Sequence, residues 1–176
     1  MMGSPLLEKF ISALQCLPGV GKKSAQRIAF QLLQRDRDGA IQLADAIRDA
    51  MEQIGQCKSC RTFSETEICS LCRSPKRDRS ILCVVENPLD VSAITQSSDF
   101  NGLFFVLMGH LSPIDGVTPA KLGMDTLRAR LETGEVKELV VATGTTMEGE
   151  ATAHYLKELA SGFNVSTSRI AFGVPV

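Results

Sequence analysis

Four of the six cysteines, Cys57, Cys60, Cys69 and Cys72, fall within sixteen residues as two Cys-x2-Cys pairs separated by eight residues. Two such pairs can set four thiolates around one ion, and a tetrahedral four-thiolate array is the ligand set of structural Zn²⁺. Four protein ligands leave no position for water, so this zinc is expected to hold structure and not to catalyse. Two disulfides, or unrelated buried thiols, would use the same residues. No basic stretch followed by an apolar run marks a secretion signal, and persistent disulfides belong to oxidising compartments. Residues 61–68 carry few apolar side chains, so metal is expected to supply the stability of this segment. Cys16 and Cys83 lie in apolar contexts and are read as core thiols.

A second group is Leu17-Pro18-Gly19-Val20-Gly21-Lys22-Lys23-Ser24-Ala25-Gln26-Arg27. Gly19 and Gly21 around an apolar residue make a tight turn between helices. The free amides of the following helix then point outward, where a phosphate oxygen can bind. Lys22, Lys23 and Arg27 would add charge beside that anion. A Walker A loop fails, because Cys16 stands where its first Gly is required and Lys23 where Ser or Thr belongs. The pattern looks like a helix-hairpin-helix element, which holds DNA through its backbone without reading sequence. The alternative is a plain helical turn with a solvated basic face. Arg35 and Arg37 interleave with Asp36 and Asp38 and are read as a solvated charge run.

The third group is acidic. Glu86 directly follows the apolar run Ile81 to Val85, with Asp90 four residues on, and Glu148-Gly149-Glu150 follows the run Leu139 to Val141. In a parallel sheet the carboxyl ends of neighbouring strands share one edge, where α/β folds gather their sites. Carboxylates meeting there could hold Mg²⁺. Glu148 and Glu150 could equally complement a helix N-terminus. Spacing alone does not separate the two.

These residues need elements to position them. Leu6, Leu7, Phe10, Ile11 and Leu14 recur at helical spacing, with Ser4 as N-cap and Pro5 in the first turn. After the hairpin a second helix is predicted over about Lys22 to Leu33. Polar residues and Gly39 form a loop, and a third helix runs from about Ala40 to Ile54. Its apolar stripe is Ile41, Ala44, Ile47, Met51 and Ile54, and Gly55 is placed as its C-terminal glycine. Ile81 to Val85, Leu103 to Leu107 and Leu139 to Val141 are short apolar runs suited to strands buried on both faces. Helical patterns lie around Asp125 to Leu131 and Gly149 to Leu159, and Arg169 to Phe172 is a candidate fourth strand. Strands alternating with helices predict an α/β layer with a mainly parallel sheet.

The 176 residues hold 19 basic and 20 acidic side chains, are 44% hydrophobic, and suit one large or two small domains. Disorder is excluded by the plentiful Val, Ile, Leu and Phe, and no run approaches the ~18 apolar residues of a membrane span. The net charge of −1 hides an asymmetry. Residues 1–80 carry 13 basic and 9 acidic side chains, or +4, and the rest carry 6 and 11, or −5. Such opposed halves point to two modules with different partners.

Glu after a first strand, with an acidic pair after a later one, resembles the Toprim domain of topoisomerases and primases. The order of hairpin, four-cysteine site and Toprim domain resembles the RecR family of bacterial recombination mediators. The matching stretches are Leu17 to Gly21, Lys23 to Arg27, Cys57 to Cys72, Cys83-Val84-Val85-Glu86, Gly109 to Pro113, Glu148 to Ala153 and Gly173-Val174-Pro175. Lys22 stands where the family often has Pro, which adds charge and removes some preorganisation of the helix start.

The resemblance implies an α+β multidomain chain: a helix-hairpin-helix DNA-binding region over 1–54, a four-cysteine zinc finger over 55–78, and an α/β Toprim domain over 79–176. It implies a non-enzymatic role in recombinational repair, with a tetrameric ring that can encircle single- or double-stranded DNA. Such rings act with RecO and RecF to load recombinase on single strands, in the cytoplasm at the nucleoid. Lys23 and Arg27 map onto DNA-facing positions, and Glu86, Asp90, Glu148 and Glu150 onto partner contacts. The family continues past Gly-Val-Pro-Val into a Gly-rich segment and a final helix that contributes to ring assembly, so a missing C-terminal piece is expected.

The alternative is a Mg²⁺-dependent Toprim enzyme of primase, topoisomerase or nuclease type. It needs a positioned metal and a nucleophile. Tyr155, the only Tyr, lies at helical spacing with Ala151, Leu156 and Leu159 and reads as packing, and His110 and His154 stand without a nearby nucleophile.

Overall fold

Pro5 fixes the backbone of a first helical turn, and α1 (Pro5–Leu14) follows from it. The computed structural model describes residues 4–170, which fall into two compact units, one ending at Gln53 and one beginning at Ile54. The first unit continues with α2 (Lys22–Arg35) and α3 (Arg37–Gln53). No polar loop surrounds Gly39. Asp36 alone separates α2 from α3: its amide closes α2 on Leu32 O (3.1 Å), and its carboxylate accepts from Gly39 N (3.0 Å). One residue thus ends one helix with its backbone amide and caps the next with its side chain. Gly55 is not the glycine that ends α3, because it already belongs to a strand.

Only Ala25 and Ala29 are fully buried among the described residues of this unit. The stripe expected on α3 lies open instead, with Ile41 61% and Met51 76% exposed. Cys16 is also exposed and no core thiol, since it sits past the end of α1 where the chain turns.

The second unit opens with a two-stranded antiparallel ribbon, β1 (Gly55–Gln56) and β2 (Phe63–Ser64), and the short α4 (Ser70–Arg73). Then β3 (Asp78–Val85), α5 (Pro88–Ser97), β4 (Gly102–Val106), α6 (Met124–Glu132), β5 (Glu138–Ala142), α7 (Met147–Ser161) and β6 (Ser166–Arg169) alternate. The four longer strands form one sheet in the order β4-β3-β5-β6, all parallel. The fourth strand therefore starts three residues before the expected Arg169, and residues 171–172 of that expectation lie outside the described residues, as does the Gly173-Val174-Pro175 match.

The apolar runs are continuous because both sheet faces are covered. Leu82, Val84, Leu103 and Phe105 face Leu127 and Leu131 of α6 and Leu156 of α7. Their neighbours Cys83, Val85, Phe104 and Val106 face Val91 and Ile94 of α5 and Leu71 of α4. Cys83 is the buried thiol expected, and burial pushes its pKa up to about 12. The chain enters the sheet at β3, steps to β4 on one side, and returns to β5 on the other. The carboxyl ends of β3 and β5 consequently flank a topological switch point. No helix of the described residues is long and apolar enough to cross a membrane.

Candidate metal centre and nucleic-acid interface

The hairpin of β1 and β2 and the start of α4 bring the two Cys-x2-Cys pairs together. Cys57 N donates to Thr62 O (2.8 Å) and Arg61 N to Cys57 O (2.8 Å), which folds the first pair into a knuckle. That knuckle places Arg61 at φ +66°, a left-handed conformation unusual for a side chain of this size. Cys69 N donates to the sulfur of Cys57 (3.3 Å), tying the second pair to the first.

All four Sγ atoms lie within 4.8 Å of one another and all four residues are buried. A tetrahedron of thiolates at ~2.3 Å from zinc has sulfurs about 3.8 Å apart. Cys60 and Cys69 sulfurs at 3.5 Å approach this spacing. The donor set, its burial and its compactness fit a structural Zn²⁺ held by Cys57, Cys60, Cys69 and Cys72. Crowding separates the thiols: hydrogen bonding with Cys60 holds Cys72 down at about 5, with Ser59, Cys69 and the Arg130 charge adding, while the same contact and burial push Cys60 up.

The hairpin of the first unit has the shape its residues require. Gly19 adopts φ +77°, which a β-carbon disfavours, and Val20 N closes the turn on Leu17 O (3.1 Å). Gly21 is the N-cap of α2 and has no side chain to occupy the first amides, and Ala25 N is the first to reach back, to Gly21 O (2.9 Å). The amides of Lys22, Lys23 and Ser24 precede it and have no i−4 carbonyl within the helix. Lys22, Lys23 and Arg27 are exposed around them, Lys23 and Arg27 one turn apart on one face. A helix start of this kind, with no side-chain cap on its first amides, is the type of place where anions can bind.

The acidic residues meet less closely. Glu86, at the end of β3, accepts a hydrogen bond from Gly144 N (2.8 Å) beyond β5 and lies 3.7 Å from Nδ1 of His110. It therefore bridges the switch point. Asp90 accepts from Asn87 N (3.0 Å) while Asn87 accepts from Asp90 N, a capping box at the start of α5. Glu150 is bound by both terminal nitrogens of Arg169 at 2.6 Å, and Glu148 is exposed in the first turn of α7. Both suit the positive end of that helix. Among the described residues the four cysteines form the one cluster of three or more His, Cys, Asp or Glu close enough to hold a metal ion.

His154 pairs with Glu158 on the surface of α7 (3.3 Å), and Tyr155 packs against the core. Sequence reasoning read His110 without its partner Glu86 and missed Gly144, Arg61 and Arg130, whose partners lie far away along the chain. Arg61 donates to the carbonyls of Leu122, Leu107 (3.1 Å), Val106 (3.3 Å) and Lys121 (3.3 Å). Arg130 donates to Ser59 O and Phe104 O, both at 3.2 Å.

Comparison with family models gives three matches in chain order. Residues 7–51 match the RecR helix-hairpin-helix, residues 54–74 the RecR four-cysteine zinc finger, and residues 80–171 the Toprim domain. The Toprim match alone spans more than half of the chain. The zinc-finger match encloses Cys57 to Cys72, and the helix-hairpin-helix match encloses Gly19 to Arg27. With a helix-hairpin-helix, a four-cysteine zinc finger and a Toprim domain in this order, the chain belongs to the RecR family, whose domains support a role in recombination and repair.

Proposed function

We propose that this chain is a non-enzymatic, DNA-binding mediator of recombinational repair, at the nucleoid in the cytoplasm. It grips the phosphate backbone through Gly19, Gly21, Lys22, Lys23 and Arg27. The observation that carries this reading is the start of α2, where amides without a side-chain cap coincide with three exposed cations in the first two turns. Such contacts position a protein on single or double strands without reading bases.

Homo-oligomeric assembly into a clamp is supported by the first unit's surface. A groove of about 620 Å³, lined mainly by Leu6, Leu7, Phe10, Leu33, Ile41 and Ala44, leaves apolar side chains without cover. Association with RecO and RecF is assigned to the carboxyl edge of the parallel sheet. Glu86, Asp90, Glu148 and Glu150 occupy that edge, together with the exposed apolar side chains Leu89, Ile114 and Met147. An acidic frame repels DNA and favours a basic protein surface. The non-enzymatic reading is supported by the engagement of these acids: Glu86 with Gly144 N, Asp90 in a cap and Glu150 with Arg169.

Lys23→Glu combined with Arg27→Glu tests the DNA site. The double variant should lose at least about tenfold in affinity for DNA at low salt, since phosphate contacts dominate such binding, with an unchanged circular dichroism spectrum. Undiminished binding by the folded variant would remove the hairpin as the contact surface.

A further inference from the structure

Four thiolates with one Zn²⁺ carry a net charge of −2, and all four cysteines here are 0–6% exposed. A buried charge of that size is costly unless something compensates it. Three cations of the zinc segment are engaged elsewhere, and Arg73 and Lys76 lie exposed. Lys58 points outward to Glu67, Arg61 serves four carbonyls, and Arg77 donates to Gly102 O beside the Phe104 ring.

One cation comes from outside the segment. Arg130, on α6, reaches Ser59 O in the middle of the first Cys-x2-Cys pair and, with the same nitrogen, Phe104 O of β4. Burial pulls its guanidinium below the usual range, while Cys72 and Cys60 push it back up. The metal loop and the sheet touch again at Val106 N, which donates to Cys60 O (2.8 Å). Because β4 is the outermost strand, this knuckle covers an edge that would otherwise present unpaired backbone groups.

We propose that Arg130 is the counter-cation of the zinc centre, so that zinc retention and closure of the β4 edge form one equilibrium. The zinc finger is then no independent bead: its affinity for metal is set partly by α6, fifty-eight residues beyond the last ligand. Loss of zinc would leave the half-buried Arg130 charge with only Glu135 as a nearby anion and uncover β4.

Zinc affinity of the full chain, measured by competition with a chelator of known affinity, tests the charge. Arg130→Gln keeps a donor for one carbonyl and removes the cation, and should bind zinc at least about tenfold more weakly, the usual scale for groups that support metal ligands. Arg130→Lys keeps the charge and loses the planar fork, and should retain more affinity than Gln. Wild-type affinity in a folded Arg130→Gln chain, or equal losses for Lys and Gln, would overturn the counter-cation. Should the Gln variant not fold, amide hydrogen exchange of the wild-type chain decides the coupling. Removing zinc should strip protection from the amides of β4 and α6, and unchanged protection there would overturn the proposal.

Discussion

Gly149 shows how one missing side chain holds the acidic edge together. A β-carbon there would collide with the carbonyl of Gly144, whose amide in turn binds the Glu86 carboxylate. Gly149→Ala should therefore push the start of α7 away from the loop after β5, at a cost of about 1–3 kcal/mol, the usual range for overpacking. Thermal unfolding should show the loss, and partner binding through Glu86 should weaken with it while DNA binding at the hairpin stays unchanged. A stable Gly149→Ala chain with intact partner binding would mean that this close approach does not position Glu86. At this scale, legibility in the sequence follows separation along the chain. The four cysteines and the two hairpin glycines announce themselves because their partners lie within a few residues. Glu86 and Gly144 lie 58 residues apart, and Arg130 and Ser59 lie 71 apart. Only the register of the parallel strands and the docking of α6 bring them together. Cys16 misled because apolar neighbours in sequence do not make a buried site where the chain turns outward.

Elements read from periodicity emerged where a broad apolar face made them amphipathic or where burial on both faces made them continuously apolar. The helix α5 escaped notice because its interior buries only Val91, and its start is written in caps instead of a stripe. Asn87 accepts from Leu89 N (2.9 Å) and Asp90 N (3.3 Å), and Asp90 answers to Asn87 N. Asn87→Ala should cost about 1 kcal/mol, as loss of an N-cap generally does, and Asn87→Asp should restore most of it. Asp90→Ala removes the reciprocal bond and separates two roles for that carboxylate. If capping is its role, stability falls and affinity for the proposed partner RecO changes no more than in Asn87→Ala; a loss of that affinity at unchanged stability would make it a contact residue. The ribbon of β1 and β2 was invisible for a different reason. Two residues per strand have no period, and metal ligation, not alternation of polar and apolar residues, fixes their pairing.

At the scale of the molecule, the net charge of −1 is a sum over opposed surfaces and says little about DNA by itself. Residues 1–80 carry +4 by their side chains, and a four-thiolate zinc adds −2, leaving about +2 for the half that holds the hairpin. One protomer offers three cations at the proposed phosphate site, Lys22, Lys23 and Arg27. Neutralising three phosphates of a duplex gives a slope of about −2.7 in log K against log salt. A protomer binding alone should show no more than this. A clamp that engages several hairpins on one duplex should show a slope that is a multiple of it, falling toward the single-protomer value when the apolar groove of the first unit is disrupted by Ile41→Glu. Measuring the slope for both chains, with solution mass recorded under the same conditions, separates the two arrangements. A slope no steeper than the single-protomer value in an assembly of several chains would place the hairpins away from a common DNA axis. The modest charge of each protomer then becomes a reason for assembly, since weak grips on the backbone give a firm hold only when several act on the same duplex.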